Sequence, residues 1–445
     1  LENRVPEVAS TGAASSGEQP ENEMEKARRL IADGMYEDAD AVLSTLWLAE
    51  PANIEVISMY MLLMNECGRT EQAKKLKKLL QLMTGAEAPS GLAAIAEADD
   101  AYDDLEEEKH LPYAYFEAGF ALIDARHFEL AIMLLRKCNE LQPNDPTVKY
   151  ELGFALMALG RVPDAIKEFE DAYRISPDFD TVLNLSVCFA LTRNLSRAKE
   201  LTSRLSSLAR DSDEIREVNH RKMVLKRLEG LSAKKKLSTQ DWLYALYGGV
   251  LLSQKVHKQE AEAHKSIAEI LLLLKGLLEG LSQEVEIIEY YNTQSRPLAK
   301  IFSELMELPM DSYKGSNRPE HCLLLMDWAT DLIGPHDAFI DNQDNRIIFA
   351  YALTRSEPLP LVPDIVGYLV DEPVMPWDQK TREETLQTIC MKILDKARDL
   401  EADPDILKLN QDLITYFEPK RRELVLKNPK IFLERPEYSA EIQSS

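Results

Sequence analysis

The sequence is short of the residues that build metal, disulfide and nucleotide sites. Its five cysteines, Cys67, Cys138, Cys188, Cys322 and Cys390, are odd in number, widely spread and form no CxxC pair. A disulfide framework or a zinc site is therefore not expected. Free buried thiols in a reducing, cytoplasmic setting are the expectation instead. Seven histidines are scattered along the chain without an HExxH. His257 and His264 share a helix face, but their neighbours Glu260 and Glu262 do not complete a ligand set, and no metal is expected. GxSxG, GxGxxG and GxxxxGK[ST] are all missing, so neither a hydrolase elbow nor a phosphate-binding loop is indicated. No cofactor is expected.

Positive charge is also scarce. There are 52 Lys and Arg against 76 Asp and Glu, a formal net charge of -24. That balance disfavours nucleic acid and anionic membrane surfaces and suits basic or mixed protein partners. The most apolar run, Ile270 to Leu281, is broken by Lys275 and Glu279 and falls short of the ~20 apolar residues that cross a bilayer. No secretory leader is visible in the sequence, which starts Leu1-Glu2-Asn3, and export is left open by it.

What the chain does have is size, apolar content and a repeat. At 445 residues, 45% hydrophobic and 29% charged, it is long enough for two to three packed domains. Residues 1–22 are rich in Ser, Gly, Ala, Glu and Pro and read as a disordered leader. Beyond them Gly119 and Gly153, Ala131 and Ala165, and Pro143 and Pro177 are each 34 residues apart. The first copy carries Tyr115, Ala118, Leu122, Leu135 and Cys138 and the second Lys149, Leu152, Leu156, Phe169 and Ala172 at matching offsets. Small residues at Gly119, Ala131, Gly153 and Ala165 let paired helices approach, large ones fill the seam, and Pro143 and Pro177 end each unit.

This pattern resembles the tetratricopeptide (TPR) consensus, in which an aromatic, Leu-Gly, a large residue, Ala, Phe, Ala and Pro recur at fixed offsets. Weaker copies surround it, with Ala39, Pro51 and Ala73 before and Leu183, Ala190 and Ala198 after, one residue short. The resemblance spans about residues 22–210 and implies helical hairpins at 23–87 and 112–210. Between them, 88–111 reads as an acidic linker, with eight acidic residues among the twelve from Glu97 to Glu108. Residues 211–239 read as an exposed basic connecting helix.

After that the period changes. Val285–Tyr291, Cys322–Trp328, Arg346–Thr354 and Ile365–Val370 have strand character, with a helix between the first two. An α/β domain at 240–377 and a helical tail at 378–445 follow from this. The expected fold is thus mainly α: a TPR-type helical-hairpin solenoid, a smaller α/β domain and a helical tail.

In the TPR family the inner helices line a groove that holds a protein segment. A well-known variant grips a C-terminal carboxylate with basic residues and Asn. The matching positions here, Phe116, Phe120, Glu151, Thr181 and Leu185, hold neither, so a carboxylate clamp is not expected. Phe116, Phe120, Tyr150 and Phe154 supply an aromatic groove instead. The expected function is a non-catalytic scaffold or adaptor that binds another protein or peptide segment. Two other readings stay open: a chaperone for an exported client, and a phosphorylated small molecule held at Ser295 and Arg296, where a strand leads into a helix. Asp327, Asp371 and Glu372 are candidate carboxylates at the sheet edge, and Gly248-Gly249 reads as a helix kink or a close packing point.

Overall fold

The computed structural model describes residues 22–84, 107–254, 263–315, 321–332, 346–354, 362–370, 375–377 and 386–424. The leader up to residue 21, the acidic strip up to residue 106, His257, Asp371, Glu372 and the tail from residue 425 lie outside them. The chain forms two compact units, residues 1–155 and 156–445, divided inside one helix.

The first unit is helical throughout its described part. It comprises α1 (Glu23–Ala32), α2 (Tyr36–Ala49), α3 (Ile54–Glu66), α4 (Thr70–Thr84), α5 (Glu107–Asp124), α6 (Phe128–Leu141) and most of α7 (Pro146–Ala158). Each of α1 to α5 packs on its successor, because each helix alone leaves an apolar stripe that the next one covers. Asn22 and Asn53 accept backbone N–H groups at the starts of α1 and α3, satisfying donors that the helix itself leaves unpaired. Trp47 and Tyr60, both fully buried, meet edge to face at 5.1 Å, and the Tyr60 hydroxyl donates to Asp40 at 2.6 Å.

The tightest seam lies between α5 and α6. A Cβ added at Gly119 would stand 2.8 Å from Leu135 Cγ, so only glycine permits this approach. Ala131 and Leu135 opposite it are fully buried. α5 begins at Glu107, five residues before the expected first repeat position, and runs through Pro112. Pro112 is the sixth residue of α5, past the first turn, so its missing N–H forgoes one i→i−4 hydrogen bond there.

Every described hairpin turn holds one residue in the left-handed region: Gly34, Gly68, Arg126, Gly160 and Arg193. The interval is 34 residues from Gly34 to Gly68 and from Arg126 to Gly160, and 33 from Gly160 to Arg193. The missing residue of the last repeat is thus lost between equivalent turns. Pro143 and Pro177 sit in the exposed connections between hairpins.

The second unit continues with α8 (Val162–Ile175), α9 (Phe179–Leu191), α10 (Leu195–Leu208), α11 (Ser212–Gly230) and α12 (Thr239–Tyr247). Ala165, Phe169 and Ala172 are fully buried on α8. The basic helix expected to be exposed is α11, and it is not a free connector. It packs on α10 and buries Arg221 and Arg227, at 3% and 1% exposure, because it supplies the apolar cover that the last hairpin needs. Gly248 is not a kink but the end of α12, left-handed at φ 68°.

Beyond α12 lies a parallel sheet of β1 (Val250–Leu251), β2 (Ile287–Tyr290), β3 (Met310–Ser312), β4 (Cys322–Trp328), β5 (Ile347–Thr354) and β6 (Ile365–Val370), in the order β1-β6-β5-β4-β2-β3. Its central strands are apolar along nearly their whole length, as a parallel sheet covered on both faces requires. α13 (Ala263–Gly280), α14 (Arg296–Met306), α15 (Leu386–Leu400) and α16 (Pro404–Phe417) accompany it. α15 packs on α13 and α14, and α16 on α13. A Cβ at Gly276 or Gly280 of α13 would stand 2.5 Å from Asn410 or Ile414 of α16.

A polar clasp fastens this end. Asp241, 1% exposed, accepts from Lys234 Nζ at 2.6 Å and from the Tyr416 hydroxyl at 2.6 Å while closing a capping box with Ser238. Burial opposes its ionisation, but these hydrogen bonds outweigh that and hold the carboxyl below its ordinary value. Nearby, Glu423 accepts from Tyr244 at 2.7 Å and pairs with Lys226 at 2.9 Å.

Candidate partner-binding surface

On α5, Phe116, Phe120 and Asp124 follow one another at intervals of four residues, which lines them along one face. The rings of Phe116 and Phe120 stack at 6.2 Å with 23° between their planes. Both are half-buried. Lys75 of α4 reaches over the Phe120 ring at 5.5 Å and pairs with Glu117 at 3.2 Å, which fixes one border of the surface.

On α7, Tyr150 and Phe154 are likewise four residues apart and half-buried, with Glu151 beside Tyr150. The Glu151 carboxyl is pushed up to about 7, first by burial and then by the negative charge of Asp124 on α5. The two carboxyls, on α5 and α7, are thus close enough within the first unit for the charge of one to act on the other. The sequence-expected residues Phe116, Phe120, Tyr150 and Phe154 are all only partly covered, unlike the neighbouring seam residues Ala118, Leu122 and Leu152, which are buried.

The other two clamp-matching positions are sealed. Thr181 and Leu185 on α9 are 1% and 0% exposed, and every residue of that helix but Asp180 is buried. Thr181 donates its hydroxyl to Asp178 at the start of the helix. The surface that the sequence marks is therefore borne by α5 and the first part of α7.

The expected anion site is built differently. Ser295 is fully buried and makes no side-chain cap bond at the start of α14. Its hydroxyl lies 3.1 Å from the Asn292 carbonyl and from the Asn292 N–H, inside a turn that Asn292 Oδ1 closes on the Ser295 N–H. Arg296 is exposed and does not join it. Asn292 Nδ2 instead donates to the Asp331 carboxylate at 3.1 Å, so an incoming anion meets a negative charge at this turn. Asp327 at the end of β4 is buried and accepts from Trp377 Nε1 at 3.1 Å.

Sequence reasoning missed the buried ion pair of Glu289 and Arg346, 2.5 Å apart at 0% and 2% side-chain exposure, with Arg346 over the Tyr313 ring at 5.0 Å. The available signal was a carboxylate in the middle of an apolar strand. Two cavities also lie in the second unit. One, of about 500 Å³, is lined by Lys199, Lys222 and Lys226 of α10 and α11, of which Lys199 pairs with Glu229 and Lys226 with Glu423. The other, of about 470 Å³, is lined by Gln240, Ser253, Glu269, Asp412 and Tyr416. Among the described residues no group of three or more His, Cys, Asp or Glu is placed to hold a metal ion, and no helix is long and apolar enough to cross a membrane.

No protein-family model and no curated protein matches the chain. Solved structures do. YrrB, described as a TPR protein with an unusual peptide-binding site, is 17% identical over 45% of this chain and 90% of its own, at TM-score 0.27. TTC0263, a thermophilic TPR protein of Thermus thermophilus, is 14% identical over 45% and 96%, at 0.27. MamA of Desulfovibrio magneticus is 15% identical over 44% and 97%, at 0.24. Scores this low carry no weight by themselves. It is the recurring left-handed turn, together with the glycine-tight seam of α5 and α6, that makes about half of this chain a TPR-like helical repeat.

Proposed function

We propose that the protein is an interaction scaffold or adaptor whose α5–α7 surface receives a segment of another protein. Its action is equilibrium binding without a chemical step. The observation that carries this reading is the set of four aromatic rings, Phe116, Phe120, Tyr150 and Phe154, left half-covered on α5 and α7 while Leu122, Leu152 and Leu156 of the same helices are buried. Rigid aromatic side chains with few rotatable bonds are effective anchors for a partner. The scaffold is rigid where they are mounted, because the Gly119–Leu135 contact fixes α5 against α6.

The test compares the full chain with the Phe116→Glu, Phe120→Glu double variant. Both are immobilised and exposed to extracts of the native host, and far-UV circular dichroism and thermal melting verify that the variant is folded. Proteins retained by the parent are expected to fall by about tenfold or more in the variant, as loss of two anchors demands. Equal retention by a folded variant refutes the assignment.

A further inference from the structure

The surface also carries charge that its own helices do not neutralise. In the first unit several acidic side chains have partners. Glu117 pairs with Lys75 and Glu71 with Lys74, and Asp40 receives the Tyr60 hydroxyl and lies 3.6 Å from His127. Asp124 and Glu151 differ. Among the described residues, neither finds a side-chain hydrogen-bond or ion-pair partner. Asp124 is exposed at the end of the Phe116–Phe120 stripe, and Glu151 is half-buried next to Tyr150. Lys75, which borders this surface, is engaged by Glu117 and the Phe120 ring.

Placing two unneutralised carboxylates beside four rings is unfavourable in the free protein. Burial and the like charge of Asp124 both work against the ionised form of Glu151. A cation supplied from outside reverses both effects, since a charge brought between two carboxylates gains from each and a guanidinium also stacks on aromatic rings. An acidic or phosphorylated segment is rejected by the same charges.

Resting on the groove reading above, we propose that the segment this surface selects is amphipathic and basic: bulky apolar anchors for Phe116, Phe120, Tyr150 and Phe154, with an Arg or Lys placed between Asp124 and Glu151. The net charge of -24 assists such a partner at long range.

The experiment selects binders from a displayed library of random peptides, each about 15 residues long and so able to span a helical or extended groove, on the full-length chain. Synthetic copies are then measured by fluorescence anisotropy. Selected peptides are expected to carry Arg or Lys next to aromatic or large aliphatic residues. Replacing that Arg with citrulline, its neutral isostere, should weaken binding by roughly tenfold in the parent. The same replacement should cost little in the Asp124→Asn, Glu151→Gln variant. Raising the salt from about 50 to about 500 mM should weaken the Arg peptide more than the citrulline one. Peptides without basic bias that bind the parent, and are lost in Phe116→Glu, Phe120→Glu, overturn the charge inference and leave the groove standing. Binders indifferent to all four positions, or no binders above background, overturn both.

Discussion

Replacing Glu151 by Gln tests the electrostatics of the surface without any knowledge of a partner. The side chain keeps its shape and loses its charge. In the folded protein the Glu151 carboxyl lies at about 7 against an ordinary 4.5, raised first by burial and then by Asp124. The sign follows from proton binding. Between these two values the folded state holds more of the proton than the unfolded state, so stability falls as pH rises through that window. The loss is absent below about 4.5 and complete above about 7. A shift of this size corresponds to at most ~3 kcal/mol, and screening of a half-buried group reduces it to about 1–2 kcal/mol.

Glu151→Gln should therefore match the parent near pH 4.5 and exceed it by about 1–2 kcal/mol at about pH 8. Thermal melting of both proteins across that range is the assay. The difference in melting temperature should grow with pH to roughly 2–6 °C. Asp124→Asn removes only the second cause and should reproduce a smaller part of the effect. A Gln variant that is less stable than the parent under the alkaline condition, or a gap that does not change with pH, refutes the reasoning.

Two further outcomes bear on the scaffold. Gly119→Val should destabilise the first unit by about 2–3 kcal/mol, since even a Cβ there meets Leu135 Cγ at 2.8 Å. Leu135→Ala should be costly alone yet partly offset the valine, and urea denaturation of the double-mutant cycle should reveal coupling of about 1 kcal/mol or more. Strict additivity would place the tight seam elsewhere. In the second unit, Asp241→Ala strands Lys234 and the Tyr416 hydroxyl and removes a capping box. It should cost about 3 kcal/mol and expose α16 to faster hydrogen exchange, whereas Tyr416→Phe should cost about 1 kcal/mol. An Asp241→Ala protein with unchanged exchange in α16 would show that the clasp does not hold that helix.

Several features could be read only in part. The strands expected over Val285–Tyr291, Cys322–Trp328, Arg346–Thr354 and Ile365–Val370 are β2, β4, β5 and β6, each trimmed by at most three residues. β1 and β3 have two and three residues, too few for any period to show. The burial of Arg221 and Arg227 ran against charge, because a basic side chain was read as a solvated one. Arg227 is satisfied by the Glu423 carbonyl, 196 positions away, and no local pattern announces such a partner. Ser295 stands at the N-cap position of α14, yet Asn292 claims its hydroxyl inside the preceding turn, a competition between local hydrogen bonds that composition does not resolve.

The sequence by itself determined the hairpin repeat and its aromatic stripe. Helix pairing, the Gly119 approach to Leu135 and the spacing of Phe116 and Phe120 are all settled within about one 34-residue repeat, where periodicity places side chains on faces. Only the tertiary structure decided which of those faces stay uncovered. Thr181 and Leu185 are sealed while Phe116, Phe120, Tyr150 and Phe154 are not, and Glu151 comes beside Asp124 although 27 positions separate them. Exposure and electrostatic neighbourhood depend on what distant helices bring to a surface, and that is a property of the packed chain rather than of any stretch of it.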